Sequence, residues 1–176
     1  CFSREVIEDY ARKHQVCPFE MCLDMSLFAD AIICDYNSYA HTYAKDNGVT
    51  IAFESHRFVE NVQYMMERYP HVGFCLDTAH EDAFTPGFRY MPLWGDRLVA
   101  THLSDNEYVC DKDMHMLPFD GTFDYHEMMR KLDKYGYSGP LVLEVFQKVR
   151  EDYKELTPEE FIATSYDRIK RISTLN

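Results

Sequence analysis

The stretch Val72-Gly73-Phe74-Cys75-Leu76-Asp77-Thr78-Ala79-His80 decides the fold. Its first five residues run together with no polar interruption, as a strand buried on both faces does. The run ends on an acid, followed three residues later by an imidazole. Working outward, the same cycle recurs. Upstream, Val49-Thr50-Ile51-Ala52-Phe53 ends at Glu54 and the polar cluster Ser55-His56-Arg57. Downstream, Arg97-Leu98-Val99-Ala100-Thr101 ends at His102, and Leu141-Val142-Leu143 ends at Glu144. Helical patterns lie over residues 58–69 and about 125–134, the second closing at Gly136, and a loop spans 107–121. Alternating strands and helices predict α/β architecture, a parallel sheet covered by helices. In such sheets functional side chains sit where strands end.

The flanking segments fit this reading. Val6, Ile7, Tyr10 and Ala11 recur at helical spacing behind Ser3, predicting a helix over residues 3–14. Another over 36–47 should stop at Gly48. Ala31-Ile32-Ile33-Cys34 reads equally as a strand or as the start of a helix. Thr157-Pro158-Glu159-Glu160 is a capping box opening a last helix over 157–176. No linker divides the chain, so residues 1–176 read as a single domain.

With 176 residues the chain is shorter than the roughly 250 of a complete (β/α)8 barrel. Apolar residues make up 46 %, enough for a core. The 18 Lys and Arg against 30 Asp and Glu leave a net charge of -12, which repels polyphosphate and argues against nucleic acid. No long apolar window occurs, and the first 15 residues are strongly charged, so no membrane span or signal peptide is expected and the address reads as cytoplasmic. The six scattered cysteines read as reduced thiols, mostly core. A start at Cys1 instead of Met reads as a processed, trimmed or partial chain.

Glu54, Asp77, His102 and Glu144, one from each strand end, form a donor set suited to Mn2+, Mg2+, Co2+ or Zn2+. Any one alone would read as a loop acid or helix cap; four in phase would not. His80 shares a side with Asp77 if the turn is helical, and is otherwise a loop histidine. Asp113-Met114-His115 reads as a second metal clamp, a pair for substrate hydroxyls, or surface loop. His56 and Arg57 contact substrate or open a helix. Arg89 and Trp94 lid a pocket or pack, and Asp120-Gly121 reads as a turn. His14, His41, His71 and His126 read as surface or helix residues.

Taken together, the motifs ending at Glu54, at Asp77 to His80, at His102 to Asn106 with residues 113–121, and at Glu144 resemble the xylose-isomerase-like TIM-barrel superfamily. This group holds sugar phosphate isomerases and epimerases and also AP endonuclease family 2 members. The resemblance covers about residues 43–145, keeps the order and spacing of four motifs, and fades over 1–35. It implies the last four strands of a TIM barrel. It implies one divalent metal on Glu54, Asp77, His102 and Glu144, with His80 on substrate oxygen; Asp113, His115 and His56 stand as the further candidates for substrate contact. It also implies that Glu54 and Glu144 are catalytic, moving an α-proton of a sugar or sugar phosphate through a metal-stabilised enediolate. The substrate is then a small sugar.

Two features depart from the pattern. Motifs for the first four strands are missing, and the basic residue that often anchors substrate after the third-strand histidine has no match at Tyr108 or Val109. An open half barrel would bare strand edges, so a homodimer pairing those edges, or a longer protein, is expected. Two other functions fit the same motifs. In a zinc-dependent phosphoester hydrolase of the AP endonuclease type, His80, Asp113 and His115 would join the metal set. Alternatively the chain is an inactive fragment or binding module.

Overall fold

A computed structural model of the chain describes residues 4–15, 44, 46–107 and 109–175. Two compact units are present, Cys1–Ile51 and Ala52–Asn176. In the first, helix α1 covers Arg4–His14, with Arg12, Lys13 and His14 in its last turn, where the helix dipole favours cations. Gly48 takes the left-handed φ of +69° that the stop signal requires, and Val49 N–H reaches back 2.8 Å to the Ala44 carbonyl. Residues 31–34 and most of the expected 36–47 helix lie outside the described residues.

The second unit is built on a four-stranded parallel sheet in the order β1-β2-β3-β4, formed by Ala52–Glu54, Gly73–Asp77, Leu98–Leu103 and Val142–Leu143. Helix α2 (Val59–Arg68) links β1 to β2, and α3 (Thr78–Phe84) and α4 (Met91–Trp94) lie between β2 and β3. Helix α5 (Tyr125–Lys134) precedes β4, while α6 (Glu151–Lys154) and α7 (Pro158–Ile172) follow it. These are successive α/β units of a TIM-barrel-like fold. Each strand pairs with the next in sequence, so strand ends separated by long stretches of chain share one edge. All of β2 is buried, as its unbroken apolar run predicts.

All four strands differ from the expected runs at their bounds, β2 and β4 by one residue and β1 and β3 by more. The run at residues 49–53 contributes only Ala52 onward, because β2 begins at Gly73 and Gly73 is the partner of Ala52. Strand β3 runs through His102 instead of stopping before it, because His102 pairs with Asp77 on one side and Val142 on the other. Arg97 lies outside the strand. Its guanidinium bonds the carbonyls of Met66 at 2.6 Å and Tyr69 at 2.7 Å, satisfying acceptors at the end of α2.

Trp94 belongs to the core, not to a lid. Its ring lies 6.0 Å from Phe74 and 5.7 Å from Tyr90. Arg89 pairs with Asp82 at 3.2 Å and with Glu81 at 3.8 Å, two acids that burial pushes up in pKa. Asp120 does more than turn the chain: it accepts from Tyr153 Oη at 2.7 Å and pairs with Arg168 of α7 at 2.7 Å. No helix of the described residues is long and apolar enough to cross a membrane.

Candidate active site at the carboxyl ends of the strands

Parallel pairing delivers the four strand-end donors to one place. Glu54 closes β1, Asp77 closes β2, His102 lies in β3 one residue before its end, and Glu144 directly follows β4. Ligand atoms of all four lie within 4.8 Å of one another. His102 Nδ1 sits 2.6 Å from Glu54 Oε1 and 2.9 Å from Glu144 Oε2. The Cys75 thiol and these two carboxylates push the His102 pKa up to about 12. Asp77 is fully buried, and burial first of all raises its pKa to about 7. Its Oδ1 caps α3 by accepting from His80 N–H at 2.8 Å, while its buried Oδ2 has no hydrogen-bond partner. Three carboxylates around one imidazole, one of them with an unsatisfied buried oxygen, suit a divalent cation.

Beside this set lies a second one. Helix α3 starts immediately after Asp77, which puts His80 on the same side, and the loop after β3 brings Asp113 and His115 to meet it. Asp113 Oδ2 lies 3.1 Å from His80 Nε2 and 2.8 Å from His115 Nε2. Each imidazole turns its other nitrogen to a carbonyl: His80 Nδ1 to Ser55 at 2.9 Å, His115 Nδ1 to Glu144 at 3.0 Å. Carbonyls only accept, so Nδ1 carries the proton in both rings and Nε2 is aimed at Asp113. Burial alone would lower the His80 pKa, but Asp113, Asp77 and Glu54 outweigh it and raise it to about 9. Burial would raise the Asp113 carboxyl, but His115 and His80 outweigh it and hold it well below the usual range.

Rings and one ion pair frame the two sets. Phe84 lies 5.2 Å from His80, and Phe146 lies 4.2 Å from His115. His56 is exposed, its ring 6.0 Å from His80, so it stands at the rim. Arg57 stacks 4.5 Å over Phe84 and pairs with Asp111 at 3.7 Å. His14, His71 and His126 are exposed, and His41 is outside the described residues.

Three supporting residues escaped the sequence reading. Buried Ser55 donates to the Asp77 carbonyl at 3.1 Å and accepts from Asp77 N–H at 2.8 Å, fixing that aspartate. Buried Asp105 accepts backbone N–H groups from Asn106, Phe119 and Phe123 at 2.8 to 3.0 Å, while its own backbone exchanges two bonds with Met116. This clamp holds the loop carrying Asp113 and His115, the latter at a left-handed φ of +45°. Only a polar residue just past a strand end hints at either role. The third is Cys75, buried as most of the cysteines are expected to be, and standing beside Glu54 and His102.

A model of the xylose isomerase-like TIM barrel family matches residues 31–171. An uncharacterised protein of Sinorhizobium fredii is 39 % identical over 74 residues, 42 % of this chain and 23 % of that protein. Among solved structures, a D-psicose 3-epimerase from Clostridium cellulolyticum is similar with a TM-score of 0.62 and 16 % identity, over 90 % of this chain and 56 % of that one. A D-allulose 3-epimerase from Methylomonas sp. aligns with a TM-score of 0.57 and 20 % identity, over 77 % of this chain and 51 % of that one. A 3-keto-D-glucoside 4-epimerase from E. coli gives 0.57 and 17 %, over 77 % and 50 %. The chain thus spans about half the length of these structures.

Proposed function

The chain belongs to the xylose isomerase-like TIM barrel family, and from that premise we propose that it is a divalent-metal-dependent sugar or sugar-phosphate isomerase or epimerase. The observation that carries the reading is the meeting of Glu54 and Glu144, from the two outer strands of the sheet, on His102 Nδ1. The epimerases it resembles in fold are named for D-allulose, D-psicose and a 3-keto-D-glucoside.

Glu54, Asp77, His102 and Glu144 would hold the metal, to which the unpartnered Asp77 oxygen gives a ready donor. A divalent cation there supplies Lewis acidity, drawing electrons from neighbouring carbonyl and hydroxyl oxygens so that the adjacent C–H becomes acidic. One of the two glutamates removes that proton and the other returns one, on the opposite face for an epimerase. His80, raised to about 9, is a proton donor to substrate oxygen at neutral pH. Phe84, Phe146 and His56 line the approach.

The test is exchange of the substrate α-proton in heavy water across a panel of ketoses, with and without chelator. Glu144→Gln should lower exchange about a hundredfold or more. Protein that retains one metal per chain yet exchanges no proton on any sugar overturns the reading. The His80, Asp113 and His115 trio favours a second reading, a zinc-dependent phosphoester hydrolase. More than one zinc per chain together with cleavage at abasic sites would select it.

A further inference from the structure

We infer that Cys75 gives the floor of this site a second, softer donor set, Glu54 with Cys75 and His102, which takes a thiophilic divalent cation such as Zn2+, Cd2+ or Co2+. The inference rests on the metal-site reading above and adds to it a donor that reading does not use.

Strand geometry puts the sulfur there. Side chains two apart on a strand share a face, so Cys75 points the same way as Asp77. Cys75 is the register partner of Glu54 on one side and of Ala100 on the other, two residues before His102. The methyl group of Ala100 is small. Sγ of Cys75, a carboxylate oxygen of Glu54 and a ring nitrogen of His102 all lie within 4.8 Å of one another. A separate observation points to a cation here: the wholly buried Asp77, which shares Glu54 and His102 with the neighbouring donor group, leaves Oδ2 without a hydrogen-bond partner.

The chemistry of the two sets differs. Three carboxylates and an imidazole accept hard cations such as Mg2+ and Mn2+ as well as Co2+ and Zn2+, whereas a thiolate with an imidazole and one carboxylate favours zinc, cadmium or cobalt over the hard ions. Cys75 is 4 % exposed, so its sulfur faces the neighbouring donors and not solvent. When the cation binds, the S–H bond breaks, sulfur keeps the electron pair and donates it to the metal, and the proton passes to solvent. No oxidant is required. Cys75 thus determines which metals compete for the site.

The experiment is a Co2+ titration of the full chain after chelator treatment, followed by near-ultraviolet absorption, proton release and metal stoichiometry. It is run on the native chain, Cys75→Ser and Cys75→Ala, with circular dichroism to verify folding. Serine keeps the size and alanine removes the polar atom, so either folded variant suffices. A sulfur-to-cobalt charge-transfer band is expected in the native chain and lost in the variants, which still bind Co2+ through the carboxylates. Co2+ bound without the band, or a band that survives in a folded variant and so arises from Cys110 or another cysteine, overturns the inference and leaves the carboxylate site standing. A native chain that binds no Co2+ overturns both.

Discussion

Ser55 shows how much one hydroxyl can carry. Its oxygen holds both the N–H and the carbonyl of Asp77, in a place where neither atom can reach water. Ser55→Ala removes one buried partner from each group, and a loss of about 1–3 kcal/mol in urea unfolding is expected. Metal affinity should fall with it, since Asp77 loses its anchor; a variant as stable as the native chain would show that the latch is ornamental. A second residue-level test uses pH on chelator-treated protein. The folded chain favours protonated His80, so its contribution is complete below the ordinary 6.5 and is lost as pH rises through about 9. Asp113 contributes with the opposite sense: fully above its ordinary 3.8, and lost as pH falls toward its depressed value. The melting temperature should therefore decline between pH 6.5 and 9, and Asp113→Asn should flatten that decline. An unchanged slope in the variant would break the assignment.

At the scale of elements, helix starts were legible because they depend on local chemistry, whereas the last helix, expected over 157–176, stops at Ile172, where no glycine or proline marks its end. Thr157 and Glu160 form the capping box their spacing announces, and Thr157→Ala should cost about 1 kcal/mol in urea unfolding. Helix α5 has the expected bounds, closing where Gly136 turns to a φ of +66°. Strand ends were less legible, because a strand extends as far as its partner does, and the partner is distant in sequence. His102 was expected past the end of β3 and lies within it for this reason. The four donors at the strand ends could be read because each follows an apolar run. The Asp105 clamp could not, since its partners Phe119 and Phe123 are fixed only by the folded loop. Gly121 belongs to that clamp: a Cβ there would come within 2.3 Å of Asn106 O and Asp105 Oδ1. Gly121→Ala should displace the loop and weaken whatever the His80, Asp113 and His115 trio binds, while leaving α5 intact by hydrogen exchange. Full protection of the loop amides in that variant would contradict the clamp.

At the scale of the whole molecule, charge and metal act together. A chain of net charge -12 concentrates carboxylates at one sheet edge, and a bound cation relieves their repulsion. A metal at a hundred times its dissociation constant should stabilise the fold by about 2.7 kcal/mol, on the order of 5 to 10 °C in melting temperature. Glu144→Gln should remove most of that shift. A native chain whose melting point ignores every divalent ion would count against a site assembled by this sheet.

The sheet order also sets a sequence of events in time. Because β1, β2, β3 and β4 lie side by side in the order they are synthesised, each strand leaving the ribosome finds its template already made. Glu54, Asp77 and His102 are present well before Glu144 follows the last strand. The nascent chain therefore passes through an interval with three donors and no fourth, in which a cation would be held only loosely. On the metal-site reading, a cation would be held firmly only once the segment carrying Glu144 has emerged and paired.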